Sequence, residues 1–461
     1  MFLTINSILK KRIYLPLSTF LFLCFFAVPS EAQPRFSGGI SNYNGFQILP
    51  PNELVTGYNH FRFILEQQAS DGRAYLNFDA EHLYSEASDS LRIIPRELWA
   101  ELYFDNSDLR IGRQRVNWGI AEGSMVWNRL NPLDLSQFVT RDPERLELGI
   151  DALRYTYFLG DHRFEGIINP VFAPHQLPDP DSRWFPNIPV PGNFDLTFET
   201  GAPTPALDRM QYGFRYRYRG FQSFDLDLHA LYWYNNLPAY QKELAASDDL
   251  IFPQLPDQIE LTETWRQTAV LGFAGEYRPV QNWAVLAESA WHRNRLFDLI
   301  PDELAVLDQE SISFQEFFEL LNAINEYEDT GFLITRPWLN SSLGVRYQSG
   351  NRIVKILAES EYIINHVSEI AREERFRSIS AIVSDTFYRD LITLQLTSRY
   401  QITGEDFWIY PSIRYDIADG FEIEAGGHFF GGAQKDSFYA HTDFRQFASE
   451  NLLYAKFSFR W

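Results

Sequence analysis

Three arginines fall within six positions of RIGRQRVNWG (110–119): Arg110, Arg113 and Arg115. A second set alternates through FRYRYRG, as Arg215, Arg217 and Arg219. Guanidinium groups stay charged and grip carboxylates or phosphates through paired hydrogen bonds. Two chemistries follow. Paired with carboxylates, such groups tie chain segments together. Left free along a wet surface, they set up a field that orients charged or dipolar solutes. Carboxylates are close by: Glu97 and Glu101 precede the first set, and Asp225 and Asp227 follow the second. Arg346, Arg399 and Arg414 extend the basic series, and Glu288, Glu359, Glu361, Glu422 and Glu424 the acidic one. Nothing resembles a nucleophile–base pair. There is no Gly-x-Ser-x-Gly and no His-Glu-x-x-His, and the nine histidines are scattered. Asp179 and Asp181 alone cannot fill the oxygen shell of calcium. The chain is therefore read as a non-enzyme with no cofactor and no metal.

The elements that carry these residues alternate with period two, the signature of strands with one apolar and one polar face. Ala74, Leu76, Phe78 and Ala80 oppose Tyr75, Asn77, Asp79 and Glu81; Leu98, Ala100, Leu102 and Phe104 oppose Glu97, Trp99, Glu101 and Tyr103. Tyr212, Phe214, Tyr216 and Tyr218 interleave with the second arginine set. Short turn signals such as ASDG (69–72), DNSD (105–108), PVQN (279–282) and SGN (349–351) join the strands in pairs. Much longer connections separate the pairs: 118–149, 170–209, 235–265, 293–337 and 431–450. This is the layout of an all-β transmembrane antiparallel barrel, with short periplasmic turns and long extracellular loops. Propellers and solenoids would need a fixed repeat, which the sequence lacks. Termini on one side require an even strand count. A rising strand at 35–47, a descending one near 374–385 and a rising one near 389–401 bring the total to 18, or 16 if two weak strands do not form.

The partition between lipid and water gives the arginines a place. A basic side chain on the lipid face near the midplane costs roughly 2–4 kcal/mol. Arg113, Arg115 and Asn117 share one face, which is therefore expected to line the lumen. Arg110 has the opposite parity. It sits either at the periplasmic rim or inward through a β-bulge at Gly112. The expected lining is Glu97, Glu101, Arg110, Arg113, Arg115, Asn117, Arg215, Arg217, Arg219, Asp225, Asp227, Arg346 and Arg399. Arg217 and Asp225 lie on adjacent strands of one hairpin. Whether such groups project a transverse field or only satisfy one another is open at this point.

Residues 1–32 read as a secretory signal: Lys10, Lys11 and Arg12, an apolar run from Ile13 to Val28, and Ser30-Glu31-Ala32 for cleavage after Ala32. Leu23 before Cys24 argues against lipid attachment. That is the only cysteine, so the exported chain has no disulfide. The net charge of −21 argues against nucleic acid. No segment after residue 32 has the 18 or so consecutive apolar residues of a helical span. The final strand, LLYAKFSFRW (452–461), ends on Trp461 and is similar to the assembly signal of bacterial outer-membrane proteins.

Gly112, Arg113 and Gln114, then Trp118 and Gly119, then Asn131, Pro132 and Asp134 resemble a set of bacterial outer-membrane porin-like families. These carry a Gly-Arg-Gln strand, Trp-Gly, and Asn-Pro-x-Asp in the next loop; they include alginate-export-like barrels and barrels of unknown function. The resemblance spans about 25 residues and implies small-molecule transport without fixing a solute. Loop 118–149, with Trp118, Glu122, Arg129, Asn131 and Asp134, is the candidate constriction, an external cap being the alternative. Residues 311–328 have helical spacing, with Ser313 and Glu316 as a capping box, and are expected to pack on the barrel rather than act as a lid. Loop 170–209, rich in proline, reads as a stiff surface loop.

The function expected is a channel for small polar or charged solutes in the outer membrane of a Gram-negative-type bacterium. The alternative is a non-conducting barrel acting through its loops as adhesin or assembly partner, and more remotely a barrel hydrolase. The expected partners are membrane lipid, the barrel-assembly machinery through the last strand, the solute, and a second copy in a homo-oligomer.

Overall fold

The alternation closes on itself. The computed structural model describes residues 33–85, 90–185, 195–199, 201–245, 258–301, 314–433 and 444–461. They form one closed antiparallel sheet of 18 strands. In chain order the strands are β1 (Arg35–Gln47), β2 (Leu54–Gln68), β3 (Gly72–Leu83), β4 (Ser90–Phe104), β5 (Ser107–Gln114) and β6 (Ile150–Leu159). Next come β7 (His162–Asn169), β8 (Gln211–Tyr218), β9 (Phe224–Tyr234), β10 (Gln267–Val280), β11 (Trp283–Asp298) and β12 (Leu333–Ser349). The last are β13 (Arg352–Ile363), β14 (Arg375–Phe387), β15 (Ile392–Gln401), β16 (Asp406–Ala418), β17 (Phe421–Gly432) and β18 (Leu452–Arg460). Each strand pairs with its sequence neighbours, and β18 returns to β1 with Phe459 opposite Ile40. No ladder edge is left open, which is what a sheet in hydrocarbon requires.

Connections at one end are tight. Gly160, Asn282, Gly350 and Gly420 take positive φ there. The long loops all lie at the other end. Leu271, Phe273, Leu343, Val345, Ile356, Leu394, Leu396, Ile413 and Phe457 stand exposed on the outer face. Their polar neighbours, among them Asp227, Glu288, Lys355 and Glu359, are buried on the inner one. The alternation thus runs apolar outward and polar inward.

Two features of the long-loop end differ from the reading of the sequence. Residues 239–245 and 258–264 pair antiparallel inside a segment read as loop, and 195–199 adds in parallel. This second sheet joins segments distant in sequence, which alternation alone does not reveal. The stretch 170–209 does not lie wholly on the surface: Trp184 is buried against Phe430 and Phe447. The helix α1 (Phe314–Glu328) buries Leu320 against Phe297, Trp338 and Ile363, as a loop helix on its own barrel does. Its cap residue Ser313, the signal-like segment 1–32 and most of 431–443 lie outside the described residues. No helix among the described residues is long and apolar enough to cross a membrane, which says nothing of strands.

Candidate functional site

The connection 115–149 between β5 and β6 runs through the barrel interior. Small residues on the inner wall make room for it. A Cβ at Gly213 would stand 2.9 Å from the Trp118 ring, and one at Gly272 would stand 2.8 Å from Trp127. Ala152, Ala274 and Ala290 complete a dry cradle with Ile150, Ile167, Val270 and Trp233. Trp118 is 0 % exposed and donates its indole N–H to Glu165 on β7; its ring stacks on His229. Trp127 donates to the Phe273 carbonyl at 3.0 Å.

Further along, the loop meets the wall formed by β11, β12 and β13. The Glu288 carboxylate accepts from the backbone N–H of Ile120 (2.7 Å) and Ala121 (3.1 Å) and from Ser124 Oγ (2.7 Å). The Met125 N–H donates to Glu359 at 3.1 Å, and Lys355 donates to Glu122 at 2.8 Å. The sequence between these anchors is short and turn-rich, so the backbone donors that a helix would have used internally are free for the wall carboxylates.

The returning half of the loop is tied to β2, β3, β4 and β18. A bulge sets this up: Asn77 pairs with Glu97 but Phe78 with Pro95, so Arg96 and Glu97 both point inward. Arg96 donates to Asp79 (2.7 Å) and to the Arg145 carbonyl (2.7 Å). Glu81 takes Arg141 and Arg145, and Asp134 takes Arg92 (3.2 Å) and Arg141 (3.3 Å). Lys456 on the last strand reaches Asp142 at 2.7 Å. Burial would raise the Asp134 and Asp142 carboxyls, but the adjacent cations outweigh it and hold both below the ordinary range. Behind this turn His175 accepts the Leu133 N–H at 2.8 Å through Nδ1; burial, with help from Arg129, pushes its pKa to about 3, so the ring is neutral.

Most of the arginines singled out in the sequence are paired. Arg110 forks onto Glu101, both bonds 2.9 Å, and lies over Trp99. Arg115 reaches Glu97 at 3.2 Å. Asp227 receives Arg215, Arg217 and Arg219 together, so Arg217 pairs there and not with Asp225, which takes Arg278. Arg346 meets Glu276 at 2.6 Å and Arg399 meets Glu359 at 2.8 Å. The interior at this level is therefore a wall of paired charges, on which Arg115, Arg217, Arg219, Arg346 and Arg399 stay part-exposed.

Arg113 is a correction. The ladder sets it opposite Leu98 and Asp151, and Asp151 shares its face with the outward Leu153 and Tyr155. Arg113 therefore faces outward, neutralised by Asp151 at 2.6 Å. Arg110 faces inward without a shift of register at Gly112, and Arg115 turns inward because the strand has ended at Gln114.

The loop residues hold the loop. Asn131 accepts the Val116 N–H at 2.9 Å and donates to Asn117 Oδ1 at 3.0 Å. The Asn117 carbonyl accepts from Arg215. A Cβ on Gly119 would overlap Asn128, and buried Gln114 donates to the Gly112 and Ala152 carbonyls. Arg129 stacks over Trp338 at 4.5 Å, with Arg295 at 3.8 Å from the same ring. The sequence reading missed Arg96, Arg141, Arg145, Glu165 and Lys456. Pro95 inside a strand was the available sign of the bulge, and the run of Gly and Ala at inward positions the sign of an occupied lumen.

His60, Asp79 and Glu81 bring donor atoms within 4.8 Å of one another. Both carboxylates already serve Arg62, Arg96, Arg141 and Arg145, so the group is a charge-balanced tie and not a metal centre. A cavity of about 310 Å³ separates the turn at Asp142, Glu144 and Arg145 from β1, β2 and β18. The inner positions of β1 along it are Ser37, Gly39 and Ser41, the smallest run on the wall it faces.

No family model and no curated protein matches the chain. Solved structures do match. The crystal structure of OccD3 (OpdP) of Pseudomonas aeruginosa is similar with a TM-score of 0.50 at 7% identity, over 94% of this chain and 92% of that one. OccK8 (OprE) of the same organism gives 0.49 at 7% over 93% and 98%, and OccAB4 of Acinetobacter baumannii 0.49 at 8% over 94% and 99%. The likeness to OccD3 is one of fold, a barrel spanned end to end by nearly the whole chain.

Proposed function

We propose that this protein is an outer-membrane channel for small polar or charged solutes, narrowed by loop 115–149. One observation carries the reading: the loop is fixed to opposite walls of the barrel and still leaves an open cavity against the small-residue face of β1. A barrel serving only as a loop scaffold has no need of a gap beside its plug. The aromatic last strand and the apolar outer band support the membrane location, with the short turns periplasmic and the long loops outside. Gln114, Trp118, Asn131 and Asp134 of the porin-like resemblance support it because they clamp the loop, whereas Arg113 lies on the outer wall.

Because the inner arginines and carboxylates neutralise one another, selectivity falls to the groups that remain partly exposed, Arg115 and Arg62 among them, and to the width of the gap. Purified protein in a planar bilayer should conduct in discrete steps. Ser41→Trp, which fills the gap from the wall side, should reduce the step size. A wild-type protein that inserts but never conducts would instead favour the adhesin or assembly role.

A further inference from the structure

Among the described residues, two clusters of polar side chains on the outward face of the barrel differ in kind. On β1 to β3, Asn42 donates to Asn59 (2.9 Å) and to Tyr84 (2.9 Å), and Tyr84 donates to Asn44 (2.7 Å). These groups satisfy one another and call for no partner.

The second patch crosses β11 to β14. Ser289, Ser341, Ser360 and Arg377 lie in one register row. All four face outward, since their strand neighbours Glu288, Asn340, Glu359 and Ser378 are buried on the inner side. The Ser289 and Ser341 hydroxyls are 2.9 Å apart. One position towards the long-loop end, Arg375 stands opposite Tyr362, its guanidinium 5.0 Å from the ring. One position the other way, Leu343 and Ile379 are exposed and apolar. Arg375 and Arg377 are both exposed, and among the described residues neither guanidinium meets a carboxylate. Glu373 and Glu374 precede them in the chain, yet no ion pair joins them to either arginine. The outward Arg113, by contrast, is neutralised by Asp151. An unpaired cation on a lipid-facing wall is tolerated where it reaches the headgroup layer.

We propose that this patch binds the phosphorylated headgroup of a lipid in the leaflet at the long-loop end. Arg375 and Arg377 fork onto the phosphate, whose geometry and charge match the guanidinium. The serine row offers hydroxyls to the polar remainder of the headgroup. Tyr362 holds Arg375 at the boundary, as interfacial aromatics do. The assignment rests on the outer-membrane reading above.

The test is native mass spectrometry of the detergent-purified protein. It is titrated with a bisphosphorylated glucosamine glycolipid (lipid A), with the same glycolipid stripped of phosphate, and with inorganic phosphate as competitor. The wild type should prefer the phosphorylated form by about tenfold, the effect of losing one strong charge-assisted contact. Arg375→Ala with Arg377→Ala should abolish the preference, and Arg375→Lys with Arg377→Lys should keep part of it. Excess inorganic phosphate should not displace the lipid. No preference in the wild type, undiminished preference in the alanine variant, or displacement by free phosphate would each overturn the lipid site. Heat-modifiable gel mobility confirms that each variant is folded. Bilayer conductance separates the two claims: failure of the lipid site leaves it intact, whereas failure of the channel reading does not.

Discussion

Glu288 on β11 accepts three hydrogen bonds from the segment 120–124, including Ser124 Oγ at 2.7 Å, across 164 residues of sequence. This single wall carboxylate takes the donors that a tight turn exposes. It explains why a connection as long as 115–149 is ordered inside the barrel.

Removing that acceptor should loosen the loop without unfolding the sheet. Glu288→Ala strands two backbone N–H groups and one hydroxyl in a buried setting, at roughly 1–3 kcal/mol for each group left unmade. Single-channel records should show added current fluctuation, while the strand content by circular dichroism stays as in the wild type. A quiet channel would mean that other anchors suffice.

At the opposite wall, Arg141 is 1 % exposed between Glu81 and Asp134. Arg141→Ala leaves Glu81 paired with Arg145 and Asp134 with Arg92, and should destabilise by less than the roughly 3–5 kcal/mol of a wholly unpaired buried charge. The melting temperature should fall accordingly. Arg399→Ala, which removes a more exposed partner of Glu359, should cost less.

The tryptophan cradle gives a packing prediction. Trp118→Ala opens a cavity among Ile150, Ala152 and Ile167 and should destabilise by about 3–5 kcal/mol. Gly213→Val fills the same space from the wall and should destabilise as well. Limited proteolysis of the loop reads out both. Resistance equal to the wild type would show that the ring does not dock where we place it.

Asp134 and Asp142 set part of the pH behaviour of the loop. Their carboxyls lie below the ordinary aspartate value of about 3.9, so the stability they contribute is complete above it and is lost as pH falls towards their lowered values. The ties made by Asp134 and Asp142 should hold unchanged down to about pH 4, whereas Glu147 in the same loop, raised by burial, titrates above the ordinary glutamate range. A transition near neutral pH would point to different groups. His175, already neutral down to about 3, cannot supply one.

The two arginines first read as sharing one face separate in selectivity. Arg115→Ala unmasks Glu97 inside and should shift the reversal potential towards cations. Arg113→Ala acts on the outer wall and should leave it unchanged.

What was legible in the sequence follows the physics. Strand count, closure and sidedness could be read because hydrocarbon imposes alternation on every strand and the turns segregate by length. β1, β14 and β15 were reached by requiring an even strand count with the short turns on one side. The Arg113 face was misassigned because parity was carried past the end of β5 at Gln114 to Arg115 and Asn117, where ladder geometry no longer holds. The loop's path was not legible, because it depends on pairs such as Lys456 with Asp142, which only closure of the sheet brings together.

The most direct measurement is single-channel conductance of the wild type against a variant in which 120–146 is replaced by a short glycine-serine linker. A channel constricted by this loop predicts small, discrete steps for the wild type and larger steps with weaker selectivity for the variant. Equal conductance in the two, or none in either, would contradict it.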